Sequence, residues 1–238
     1  MNMVFDRLFG SGQHSIAIDG DFLAGTATVG ERETVIIGTC NKAAIDSSLA
    51  LKVADAILRT VREDISPSRP PRSILFLVDT QGQQLSRHEE LLGLNGYFAH
   101  VASCCDLARR HDHRLVTVIH GEAVSGGFLA FGLMADRICA LPDAQVRVMD
   151  LRAMSKVTKI PYDKLVVLAE ESPVFAPGAE NYWRMGAVDV LWSIEDDWSS
   201  CLESAIALAK ADDGRARLGQ ERGGRTLAAP ISELVVSA

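Results

Sequence analysis

The chain has 238 residues, 47% of them hydrophobic, enough to bury one substantial core. Its 24 basic residues against 31 acidic ones leave a net charge of −7, which opposes attraction to nucleic acid or to an anionic membrane surface, so neither is expected as a partner. No apolar run reaches the roughly 18 residues of a membrane span, and the start, MNMVFDRLFGSGQHS, lacks a basic region followed by a long apolar stretch; a cytoplasmic location is expected.

Three β-like runs come first, HSIAID, LAGTATV and ETVIIGTC, separated by the turn residues DGD and GER, which predicts antiparallel ribbons. From Lys42 to Glu63 the apolar positions Ile45, Leu49, Val53, Ala56, Ile57 and Val61 follow helical spacing, and SPSRPPR ends that segment. SILFLVD is a continuous apolar run of strand length, typical of a strand covered on both faces. It leads into TQGQQLSR and a helical stretch to Arg110, and LVTVIH then repeats the pattern. The turn GEAVSGG follows, then a helix to Ala135, the strand RICAL, the turn PDA and the strand QVRV. Repeated strand, turn and helix units predict an α/β layered fold, with ligands held beyond the carboxyl ends of the strands, where TQGQQ and GEAVSGG lie.

Towards the end, Ser193 opens an S-x-x-D capping signal before a helix carrying Trp198, Leu202, Ala205, Ile206 and Ala209. Residues 1–214 are thus expected to form a single domain. Beyond Gly214, RARLGQERGGRTLAAPISELVV scatters arginines among glycines and reads as a flexible or partner-docking tail over 215–238.

Cys40, Cys104, Cys105, Cys139 and Cys201 are odd in number and lack CxxC spacing, so buried reduced thiols are expected rather than a disulfide framework or a zinc site. His111, Asp112 and His113 in RRHDHR have no further cluster to complete a metal site, and a solvated helix end is expected there.

The glycine turn permits three chemistries. Gly121 and Gly126 have P-loop spacing, but Phe128 and Leu129 follow Gly127 where that motif needs Lys and then Ser or Thr. AVSGG places Ser125 on a strand-to-helix turn, yet the last of the six histidines is His120, upstream of the serine, where the elbow fold has its base downstream. Backbone donors remain: a glycine pair at a helix start exposes N–H groups without intrahelical partners, and Gly82 in VDTQG offers another at the neighbouring strand end. Two readings stay open, an oxyanion site built from these N–H groups or glycines that serve only tight turns and close packing.

LVDTQGQQLSRHEELLG followed by HGEAVSGGFLAFGLMADRICALPDAQVRVM resembles the carboxyltransferase branch of the crotonase superfamily, and within it the gamma subunits of biotin-independent malonate decarboxylase. The resemblance implies a crotonase-like spiral of ββα units, with an active site shared with a related beta subunit. It implies decarboxylation of a malonyl thioester on an acyl carrier protein, whose phosphopantetheine-type thiol is loaded by an acyl-transferring alpha subunit; this chain would bind no cofactor and no metal. By the same resemblance Gly82, Gly126 and Gly127 correspond to oxyanion-hole segments, with Gln83 and Ser125 as water or proton-positioning residues. Related carboxyltransferases commonly have proline where Gln81 stands.

Three alternatives accompany this expectation: a biotin-dependent carboxyltransferase subunit, an acyl-CoA hydratase or isomerase, and a non-catalytic assembly subunit. Hydratases of the superfamily use glutamates for acid–base work, and no Asp or Glu occurs from Ala123 to Ala135, although Asp150 stands where a second acid is conceivable.

Overall fold

The computed structural model describes every residue except 66–69, 173–174, 210–212 and 238. It begins with a helix that composition did not announce, α1 (Asn2–Phe9), whose Phe5, Leu8 and Phe9 are buried. The three β-like runs then form β1 (Ala17–Asp19), β2 (Phe22–Val29) and β3 (Arg32–Thr39), paired antiparallel in sequence.

The segment expected to be helical from Lys42 begins instead as a strand, β4 (Ala43–Ile45), and only then becomes α2 (Ser47–Asp64). Asn41 and Lys42 both take positive φ, residues 43–45 pair with β5, and Asp46 caps the helix by accepting the Leu49 N–H at 2.7 Å. The residues 66–69 of SPSRPPR lie outside the described residues. SILFLVD forms β5 (Ser73–Gln83), which runs on through TQGQ. Next come α3 (Arg87–Leu92) and α4 (Leu94–Arg110), two helices where the sequence suggested one, divided at Gly93 in the left-handed conformation. Their successor β6 (Leu115–Val124) absorbs the first half of the glycine turn.

The helix after that turn is also shorter than expected. It consists of α5 (Ser125–Leu129) and a 3₁₀ turn at Gly132–Met134, before β7 (Arg137–Ala140) and β8 (Gln145–Arg147). The remainder is α6 (Leu151–Thr158), α7 (Tyr162–Glu171), α8 (Ala179–Arg184), β9 (Val190–Leu191), α9 (Trp198–Leu208), α10 (Arg215–Glu221) and α11 (Ala228–Val236). The cap of α9 is Asp197, which accepts the Ser199 N–H at 3.2 Å; Ser193 stands outside the helix, its own N–H bound to Asp196 Oδ2 at 2.7 Å.

The strands described form one sheet in the order β1-β2-β3-β5-β6-β7-β9, parallel from β3 onward, with β4 added beside β5 and β8 beside β6. Alternation along β5 sends Ile74, Phe76 and Val78 to one face, packed with α2 and α4, and Leu75 and Leu77 to the other, packed with α1 and α9. Both faces are covered, which is why SILFLVD is apolar without interruption. None of the described helices is long and apolar enough to cross a membrane.

The tail carries two helices of different character. Arg222, just after α10, donates to the carbonyls of Trp183, Val188 and Asp189 at 2.8, 2.9 and 3.0 Å. In α11 Ile231, Leu234, Val235 and Val236 are exposed.

Candidate active site

β5 and β6 run in register as far as Val78 opposite Ile119, and pairing resumes only at Thr80 opposite Ala123. One residue of β5 therefore faces three of β6, and Asp79 fills the irregularity. Its Oδ1 accepts the Glu122 N–H at 2.8 Å and its Oδ2 the Lys42 N–H at 2.9 Å, so a single carboxylate ties together β5, β6 and the turn before β4. Gly121 is a glycine because a Cβ there would lie 2.3 Å from Asp79 Oδ1.

Thr80 does similar service one residue on. Its fully buried hydroxyl donates to the Ala43 carbonyl at 2.7 Å and accepts the Gly82 N–H at 3.0 Å. Gly82 has φ +108, and a Cβ on Gly127 would meet Thr80 Oγ1 at 2.8 Å and Gly82 Cα at 3.0 Å. The two glycine turns are thus pressed backbone against backbone.

Five expected site residues come together here. Gly126 N–H points at Gln83 Oε1, 3.2 Å away, while Ser125 sits at the strand-to-helix junction with φ +51, a left-handed conformation uncommon for a residue with a side chain. Gly127 lies in the first turn of α5, where N–H groups have no partner within the helix. Asp79, Thr80 and Glu122 are the residues sequence reasoning passed over. Their signal was present in the motifs themselves, since DT precedes QG and GE precedes AVSGG.

Other candidates are placed elsewhere. His120 donates from Nε2 to the Thr39 carbonyl at 3.0 Å and makes no described bond to Ser125, so the serine has no base of its own there. Asp150 is exposed and caps α6, accepting the Arg152 and Ala153 N–H groups at 2.9 Å. Glu122 lies at the strand ends between Lys42 Nζ at 3.0 Å and Arg147 at 2.6 Å. Burial pushes its pKa up, but the hydrogen bonds from Lys42 and Arg147 outweigh that and hold it below 4.5. Its carboxylate is engaged by a cation on each side.

His113 departs from the solvated helix end expected for RRHDHR. It is buried, and its Nδ1–H donates to the Arg72 carbonyl at 2.8 Å, while His111 and Asp112 stay exposed. Cys40, Cys104, Cys105 and Cys139 are buried free thiols, Cys201 a partly exposed one. Among the described residues no group of three or more His, Cys, Asp or Glu is arranged to hold a metal.

Residues 40–238 match the malonate decarboxylase gamma subunit family. The chain is 30% identical to the malonyl-S-ACP:biotin-protein carboxyltransferase MADD of Malonomonas rubra, an alignment that covers 90% of this chain and 82% of that protein. Among solved structures it superposes on a chain of the Pseudomonas malonate decarboxylase hetero-tetramer in complex with coenzyme A, with a TM-score of 0.83 at 22% identity, covering 98% of this chain and 97% of the other. A chain of the Pseudomonas MdcD-MdcE hetero-dimer gives 0.78 at 23% identity, covering 99% and 97%. At these identities the structural likeness is one of fold, and the fold is crotonase-like.

Proposed function

The chain belongs to the malonate decarboxylase gamma subunit family and is an enzyme subunit; from that premise we propose that, with a related beta subunit, it decarboxylates a malonyl thioester at the paired glycine turns. The C–C bond to the carboxylate breaks, its electron pair moves toward the thioester carbonyl, CO2 leaves, and the enolate then takes a proton at carbon to give the acetyl thioester. What the protein must supply is a place for the negative oxygen that needs no titrating group. Fixed N–H donors do this, and losing one costs about 3 kcal/mol in comparable sites.

The observation that carries this reading is Gly126 N–H bound to Gln83 Oε1 at 3.2 Å. A neutral amide oxygen occupies the position that a thioester oxygen takes when Gln83 swings aside. Gly127, in the same first turn, is the second backbone donor, while Gly82, expected as a third, has its N–H bound to Thr80 Oγ1 at 3.0 Å and supports the turn from beneath. Gln83 and Ser125 then hold the water that returns a proton to carbon. The thioester belongs to the phosphopantetheine-type thiol of an acyl carrier protein charged by an alpha subunit, in the cytoplasm, and the chain itself brings no cofactor.

A second reading has its own support, because MADD, 30% identical, is a carboxyltransferase toward a biotin protein. In that chemistry the carboxyl group passes to biotin instead of leaving as CO2. Hydration is disfavoured by Glu122, locked between two cations, and by Asp150, spent on a helix cap.

The test is Gln83→Glu in the complex with the beta subunit, assayed with malonyl thioester on the carrier. A carboxylate at Gly126 N–H competes with the enolate, so kcat/KM should fall about 100-fold with assembly intact. Undiminished activity sinks the oxyanion reading in favour of an assembly role. Transfer of labelled carboxyl to an added biotin carrier assigns the second chemistry.

A further inference from the structure

At the end of the sheet opposite the glycine turns lies a cavity of about 400 Å3 between the start of β7, the end of α4 and α10. Leu115, at its rim through Asp136, is the first residue of β6, and Val124 the last, a separation of about 30 Å at strand rise. The cavity is therefore separate from the site described above.

Five arginines and three aspartates line it. Arg109 is matched by Asp136 at 2.7 Å and Arg215 by Asp213 at 2.7 Å. Arg137 and Arg222 are different: neither has a carboxylate within salt-bridge distance among the described residues. Arg222 is held by three carbonyls and stacked 4.4 Å over Trp183, and neutral acceptors leave its charge in place. Arg137 Nε is buried without any hydrogen-bond partner, a condition that costs free energy unless something else satisfies it. Asp189, the nearby acid, spends one oxygen on the Ile138 N–H at 2.8 Å and pairs with neither guanidinium.

We propose that this cavity is an anion site, taking a compact dianionic group, phosphate or dicarboxylate, of a small polar molecule. The five arginines of the lining exceed its three aspartates by two positive charges, offset in part at the exposed rim by Glu221 on Arg217, and the guanidinium fork of Arg137 suits the paired oxygens that both kinds of group present. The cavity volume falls within the usual range for small ligands. Because α10 and Arg222 form one wall and β7 the other, the bound anion joins the C-terminal helices to the sheet.

The 238-residue chain is titrated calorimetrically at low ionic strength with inorganic phosphate, pyrophosphate and malonate. Saturable binding of at least one probe is expected, weakened at least about tenfold by Arg137→Met, which keeps the apolar stem, and about threefold by Arg217→Gln at the exposed rim. If Arg137→Met fails to fold, Arg217→Gln decides. Tighter phosphate or pyrophosphate than malonate assigns a phosphorylated ligand, and the reverse order a dicarboxylate. No saturable binding up to about 20 mM, or affinity untouched by either substitution, overturns the proposal.

Discussion

Gly121 and Gly96 show how differently two glycines of one chain are used. A Cβ on Gly121 would stand 2.3 Å from Asp79 Oδ1, and that carboxylate cannot retreat without releasing the Glu122 and Lys42 N–H groups it holds. Gly96, in the first turn of α4, has nothing within 4 Å of its missing Cβ and no positive φ. Gly121→Ala should therefore destabilise by about 2 kcal/mol and cut activity with it, because the strand ends that carry both glycine turns lose their common tie. Gly96→Ala should stabilise by about 0.5–1 kcal/mol, the entropy of a helical glycine. Urea midpoints of the two variants decide this, and equal shifts of one sign would contradict it. Packing rather than ligand access likewise accounts for Gly127, whose Cβ would run into Thr80 and Gly82; what it offers chemically is its N–H alone.

At the level of elements, the readable parts were those with an unbroken period. SILFLVD and LVTVI announce β5 and β6 because both faces of the sheet are covered, and the antiparallel ribbons are punctuated by turn residues. The turns DTQG and GEAVSGG were legible as a pair, and the structure brings Gly82, Gln83, Ser125, Gly126 and Gly127 together. Illegible were elements whose cause is tertiary. β4 is three residues that become a strand only beside Thr80–Gln83, α1 is two turns that need α9 beneath them, and the cap at Asp197 competed with a well-formed S-x-x-D signal that opens four residues earlier, at Ser193. His113 is buried because the Arg72 carbonyl waits for it across 41 residues of sequence, a partner no local pattern reveals. The two tail helices can be separated in the same physical terms. α10 is bound to the body, with Gly219 buried and a Cβ there 2.5 Å from the Met185 carbonyl, whereas α11 leaves Leu234, Val235 and Val236 more than two-thirds exposed. If α11 is the segment that docks on the beta subunit, ending the chain at Leu227 should leave the melting temperature within about 2 °C. Affinity for the beta subunit should fall at least about tenfold, measured by calorimetry. Unchanged affinity would remove α11 from the interface.

Across the whole molecule, two imidazoles are built into the fold as neutral groups. His113 lies near the start of β6 and His120 further along it, each donating to a carbonyl, from Arg72 and from Thr39. Burial is the largest influence on both and lowers both pKa values below 6.5, against the opposing pull of the carbonyl bond and of Asp64 for His113 or Asp79 for His120. Arg72 and His111 add to the lowering at His113. As pH falls through 6.5 the unfolded chain takes up protons that the folded chain refuses, so this stabilisation is complete above 6.5 and is lost progressively toward the lower folded values. Glu122 titrates in a separate window below 4.5, where its depressed pKa makes stability fall as it protonates. The urea midpoint should accordingly be lower at pH 5.5 than at pH 7.5, while the m-value stays constant. His113→Gln keeps an N–H for the Arg72 carbonyl but cannot titrate, so it should show a smaller difference between the two pH values than the wild-type chain. Equal differences in the two proteins would mean that His113 is not held neutral by its burial.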